Sequence, residues 1–151
     1  MIKKLLFAFI LSYSFNMSAQ TLNWSTDVNA AIEVSNKENK PLLLLFTDKS
    51  ASNDLLFSQV LNTLDFALWS RDNVVIVKID LNEDSTNDNI ERNLNLKKAF
   101  AIDANPSICF ARGSSRKGKI NYQLIGKMAY KPGGVKAWLA DAKILLTVTE
   151  E

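Results

Sequence analysis

Residues 41–47 read PLLLLFT, with five large apolar side chains in succession and no polar break. A strand with one wet face alternates apolar and polar residues. An unbroken run of this length fits a strand covered on both faces, as in a parallel sheet flanked by helices. NVVIVKIDLN (73–82) is the clearest strand, with Val, Ile and Val in sequence and an Asn/Asp-rich exit. Together these runs restrict the chain to a layered α/β architecture, in which other segments must supply helices for both faces.

The remaining segments provide them. LNW (22–24) is short and extended. TDVNAAIEVSNKENK places Val28, Ala31, Ile32 and Ser35 on one helical face, with Ser25 or Thr26 as cap and Asn39 and Pro41 as the stop. SNDLLFSQVL opens on capping-type residues and sets Leu55, Leu56, Phe57 and Val60 on an apolar face; TLDFALWSR adds a short helix with Phe66 and Trp69. NIERNLNLKKAFAI predicts a helix with Ile90, Leu94, Lys97 or Lys98, and Ala101 on one side. Beyond Asn105-Pro106, SICFA is a strand, GSSRKGK a hairpin turn with Gly113 and Gly118, and INYQLIGKMAY its antiparallel partner. After Pro132-Gly133-Gly134, VKAWLADAKILL forms a last helix that turns Val135, Trp138, Leu139, Ala142 and Leu145 or Leu146 inward. The order β-α-β-α-β-α-β-β-α predicts a mixed central sheet sandwiched by helices.

Composition sets the chemical limits. At 151 residues, 47% hydrophobic and 23% charged, the chain fits one domain. MIKKLLFAFILSYSFNMSA carries two lysines, the apolar run LLFAFIL and a small-residue end, the three-part layout of a secretory signal peptide. The apolar run is shorter than the ~20 residues needed to span a bilayer. Cleavage is expected after Ala19, leaving a single domain over 20–151 with no transmembrane segment and a periplasmic or secreted location. Losing Lys3 and Lys4 takes the formal charge from +2 to zero, so a nucleic-acid partner, which needs a basic stripe, is not expected. There is no His and one Cys, Cys109. This rules out a histidine zinc site, a Ser-His-Asp triad, a Cys-His pair and an internal disulfide. No metal and no cofactor is expected.

Several stretches carry a known pattern. NKENKPLLLLFT, VLNTLDF, VVIVKIDLN, LKKAFAIDANPSICF and GKMAYKPGGVKAWLADAKILL follow one another across nearly the whole mature chain. In that order they resemble exported proteins of the thioredoxin-like family, which run helix, KENKP, apolar strand, FTG, WCxxC, helix. The resemblance implies a thioredoxin-like fold and places the family's C-x-x-C on Ser50-Ala51-Ser52-Asn53. In either of two registers one residue apart, both positions lack sulfur. Disulfide exchange needs a thiolate and a second thiol to resolve the mixed disulfide, and neither hydroxyl nor amide replaces them. PLLLLF also offers only leucines where many thioredoxins hold a buried acid. Pro106 resembles the family's cis-proline, beside which substrate peptide pairs by strand addition.

The expected site is therefore a degenerate groove of Ser50, Ala51, Ser52, Asn53, Asn105 and Pro106, with no catalytic residue. It would hold an extended peptide or an envelope protein partner, as a chaperone-like or assembly factor. The alternative is an oxidoreductase-related protein acting through Cys109 or a partner's cysteines. Each narrower reading has a plainer rival. Ser50, Ser52 and Asn53 also suit helix capping. Lys49 beside Ser50 suggests a Ser-Lys nucleophile, although adjacent side chains diverge. Cys109 lies in an apolar strand, where buried thiols are inert. NEDSTNDN (82–89) has calcium-type oxygens but no EF-hand glycine or closing Glu, and reads as a solvated loop capping the next helix. RGSSRKGK could touch an anionic surface or be a charged hairpin tip. Trp24, Trp69 and Trp138 read as packing residues.

Overall fold

The computed structural model describes residues 22–50, 54–84 and 86–148. The expected signal peptide (1–19) and Ala51, Ser52 and Asn53 lie outside the described residues. The elements are α1 (Val28–Glu38), β1 (Leu42–Thr47), a π-helical segment (Phe57–Leu61), α2 (Leu64–Asn73), β2 (Val75–Asp80), α3 (Ile90–Ala99), β3 (Ser107–Arg116), β4 (Lys119–Met128) and α4 (Gly134–Thr147). The strands form one sheet in the order β2-β1-β3-β4. β1 runs parallel to β2 and antiparallel to β3, and β3 pairs antiparallel with β4.

β1 is buried along its full length, as its unbroken apolar run requires. Leu42, Leu44 and Phe46 enter a cluster with Val28, Ala31 and Ile32 of α1 and Leu96 of α3. Leu43 and Leu45 face the other way, onto Leu56, Val60, Phe66, Trp69 and Trp138. The sheet is thus a middle layer between α1/α3 and the π-segment/α2/α4.

Five local expectations change. LNW forms no strand; Ser25 alone makes a parallel bridge to Val77, accepting from Lys78 N at 2.8 Å. The cap of α1 is Asp27, whose carboxylate accepts from Asn29 N and Ala30 N at 2.9 and 3.2 Å. After β1, Phe57–Leu61 is π-helical, and Asn62 N bonds Phe57 O at 2.9 Å. The wider turn brings consecutive Val60 and Leu61 into the core and leaves Leu55 50% exposed. The hairpin turn is only Lys117-Gly118, with φ of 52° and 76°, the left-handed pair of a two-residue turn. Gly113 lies within β3 instead, where a Cβ would stand 2.7 Å from Ile32 Cγ1, so it lets α1 approach the sheet.

The fifth change concerns α3. Its buried face is centred on Asn93 and Leu96, while Ile90, Leu94 and Lys97 are half-buried and Ala101 is exposed. An amide enters the core because both its ends are bonded: Asn93 Nδ2 donates to Asp80 O at 2.8 Å, and Oδ1 accepts from Arg92 Nε and Nη2 at 3.2 and 3.0 Å. Asn93→Ala should lower stability by ~1–2 kcal/mol, because Asp80 O loses the nearer of its two donors and the Arg92 guanidinium loses its acceptor. A urea unfolding curve reads this directly. An unchanged midpoint would show that the Asn87 amide alone satisfies the carbonyl.

α4 behaves as expected. Trp138 and Ala142 are buried, and Val135, Leu139, Leu145 and Leu146 pack around them. No helix among the described residues is long and apolar enough to cross a membrane.

Candidate functional site

The carboxyl ends of β1 and β2 and the amino end of β3 lie at one edge of the sheet, since Thr47 pairs with Asp80 and Phe46 with Ser107. Three loops therefore converge there: 48–50, 81–89 and 104–106. The topology dictates this meeting, and the side chains knit it.

Asp48 makes the main link. Its Oδ1 accepts from Ser50 N at 2.9 Å and from Ser50 Oγ at 2.5 Å, and its Oδ2 accepts from Asn105 Nδ2 at 2.9 Å. One carboxylate thus joins Ser50 to Asn105, two of the residues expected to share a groove. The Asn105–Pro106 peptide is cis. Asn105 Oδ1 is buried without a hydrogen-bond partner among the described residues. Sequence reasoning missed Asp48. The available signal was its place two residues before Ser50, the spacing at which an Asp side chain bonds a backbone N–H.

The neighbouring loop is tied in by Lys49. Its backbone N donates to Asn82 Oδ1 at 2.9 Å, and its ammonium meets Asp84 Oδ2 at 2.7 Å. The hydrogen bond to Asp84, then its charge, raises the Lys49 pKa, while the Lys49 and Thr86 donors hold Asp84 down at about 2. A lysine held charged cannot deprotonate its neighbour, and Ser50 Oγ is turned to Asp48. The Ser-Lys reading therefore finds no support in the geometry. A cavity of about 250 Å³ lies beside these residues, lined by Thr47, Asp48, Lys49, Phe57, Lys78 and Asn82.

Of the capping reading, the part on Ser52 and Asn53 lies outside the described residues, and Ser50 is held by Asp48. Asp54 caps the segment after the loop, with Oδ1 accepting from Leu56 N at 2.7 Å and its carbonyl from Phe57 N at 3.1 Å. Loop 82–89 also departs from expectation. Asn89 makes no side-chain cap to α3; instead Asn87 Nδ2 bonds Asp80 O and Asn82 O, and Asp84 takes Thr86 and Lys49. The loop thus folds back on the end of β2. Among the described residues, no group of three or more His, Cys, Asp or Glu is placed to hold a metal ion.

Cys109 sits in β3 opposite Leu44, fully buried, and burial pushes its thiol up to about 11. Native protein at pH 8 should therefore resist iodoacetamide, and unfolded protein should react fully. The shift has a signed effect on stability. From pH 9 to 11 the unfolded thiol ionises while the folded one stays neutral, so stability falls as pH rises, by about 1–3 kcal/mol. Urea midpoints across that range should fall more steeply for the native sequence than for Cys109→Ala. Parallel slopes would disprove the buried-thiol account.

Trp69 and Trp138 are buried, and Trp24 stacks on Phe66 with ring centroids 6.3 Å apart. All three act in packing.

A helix-sandwiched mixed sheet, with a cis-proline loop facing the loop after the central parallel strand, is a thioredoxin-like fold. Solved structures agree. A DsbH oxidoreductase superposes with a TM-score of 0.69 at 20% identity, covering 87% of this chain and 89% of that one. A thioredoxin from Thermus thermophilus gives a TM-score of 0.59 at 12% identity, over 85% and 88% of the two chains. At these identities the likeness concerns the fold. No protein-family model and no curated protein sequence matches the chain.

Proposed function

We propose that this is an exported thioredoxin-like binding module that holds an extended peptide, or an extended segment of an envelope protein, across the 48–50 and 105–106 loops without exchanging disulfides. The observation that carries the reading is the Asp48 carboxylate, which joins Ser50 to Asn105 where the resemblance places a sulfur pair. The loops on either side of a peptide site are held together, yet the chain's single sulfhydryl is buried in β3. The name of the oxidoreductase neighbour favours a second reading, redox chemistry through Cys109. A buried thiol with its pKa near 11 weighs against it, because the thiolate is the attacking species.

Two measurements test the proposal. Insulin reduction in dithiothreitol should run at the uncatalysed rate, and turnover abolished by Cys109→Ser would transfer the assignment to the oxidoreductase reading. A short labelled peptide of alternating threonine and valine should raise its fluorescence anisotropy on binding, and Ser50→Arg should weaken that binding. Equal affinity for the variant would remove the groove from the site.

A further inference from the structure

β4 is the outer strand of the sheet, so one row of its backbone N–H and C=O groups has no strand partner among the described residues. Charge is distributed unevenly toward this edge. From Arg112 to Ala140 the chain carries seven lysines and arginines and no Asp or Glu, whereas the remaining residues carry eleven basic against sixteen acidic side chains. Among the described residues, Lys131 alone of the seven makes an ion pair, with Asp141 at 3.4 Å. Apolar exposure gathers here too. Among the described residues, four of the eight exposed large hydrophobic residues, Ile120, Leu124, Ile144 and Val148, lie on β4 or at the end of α4. Between the end of β4 and α4 runs an open groove of about 380 Å³, lined by Ile125, Met128, Ile144, Leu145 and Val148 together with Lys127, Lys131 and Asp141.

We infer that the β4 edge is a second binding surface, which takes an extended acidic segment of a partner protein by strand addition. Strand addition satisfies the open backbone row and sends alternate side chains to the two faces. On one face they meet Ile120 and Leu124, and on the other the groove beside α4. The charge pattern decides the occupant. A second copy would set this basic stretch, which holds no Asp or Glu from Arg112 to Ala140, against itself, and like charges across a strand pair destabilise a sheet. Because β4 bulges at Ile125, Lys119 and Lys127 lie on opposite faces of the sheet, so each face offers a lysine to a segment that alternates apolar and acidic residues. Lysines that keep neutral or basic strands off an edge thereby select acidic ones. This surface involves neither Asp48 nor Asn105, so the inference stands or falls independently of the peptide groove.

The test uses the purified protein and a labelled peptide of alternating valine and aspartate, with a valine–lysine peptide as control. Anisotropy should rise saturably for the acidic peptide only, and affinity should fall with added salt. Lys119→Glu/Lys127→Glu should weaken binding roughly tenfold or more, and Leu124→Asp should weaken it as well, while Asp48→Ala leaves it unchanged. Thermal melts establish that each variant is folded; because Lys127 Nζ also bonds Ala101 O at 2.7 Å, Lys119→Glu alone serves if the double variant is not. Equal binding of the two peptides, or binding unaffected by the β4 variants, would overturn the inference. Concentration-dependent dimerisation lost in Leu124→Asp would assign the edge to a second copy. Capture by anionic lipid vesicles without peptide binding would assign it to a membrane surface.

Discussion

Trp138→Ala should lower the unfolding free energy by ~3–5 kcal/mol, the range for removing a large aromatic from a packed core. Trp138 is 2% exposed, and its ring lies 5.7 Å from Phe66, 6.0 Å from Trp69 and 6.3 Å from Phe110. It therefore joins α4 to α2 and to β3 at one point, and the cavity left by alanine would border three rigid rings. Its indole Nε1 is buried with no hydrogen-bond partner among the described residues, so the stabilisation comes from packing. Trp138→Phe should accordingly cost much less, ~1–2 kcal/mol, because it keeps a ring and removes an unsatisfied donor. Urea unfolding of both variants decides the point. A loss near 1 kcal/mol for alanine would show that the surrounding rings collapse into the space.

Asp48→Ala should affect the site more than any other single substitution. It removes the acceptor for Ser50 N, Ser50 Oγ and Asn105 Nδ2, freeing the two loops from one another. Stability should fall by ~1–3 kcal/mol. Binding of the threonine–valine peptide should weaken roughly tenfold or more, since the loops must then be ordered at the expense of binding energy. Asp48→Asn has one carbonyl oxygen and keeps either the Ser50 or the Asn105 bond, so it should fall between. Anisotropy titrations of the three proteins supply the readout. Native affinity in Asp48→Ala would mean that the groove does not depend on this carboxylate.

The layers were legible because the core-forming residues follow simple periods. PLLLLF, VIVKID, the Val28/Ala31/Ile32/Ser35 stripe and the Trp138/Ala142 stripe all lie where their spacing places them. Errors occurred where polar contacts override period. Asn93 is polar by type and buried by contact, and its bonds to Asp80 O and to Arg92 explain its position. Val60 and Leu61 both face inward through a π-turn that no 3.6-residue period contains. Gly113 looked like a turn residue, but its role is set by Ile32, far away in sequence. The site was legible only as a pair of loops. Ser50 and Asn105 were expected to approach one another, but the group that joins them was an Asp in a polar stretch with no motif of its own.

The position of β1 also bears on how the chain assembles. Its two neighbours come late: Leu42–Phe46 must wait for Val75–Ile79 on one flank and for Ser107–Ala111 on the other. A ribosome that has released the chain only as far as β2 would therefore present this apolar strand with no cover on its second edge. Acquisition of native structure is consequently a late event, coupled to emergence of the carboxyl-terminal third, and the unfinished chain is the form most in need of shielding.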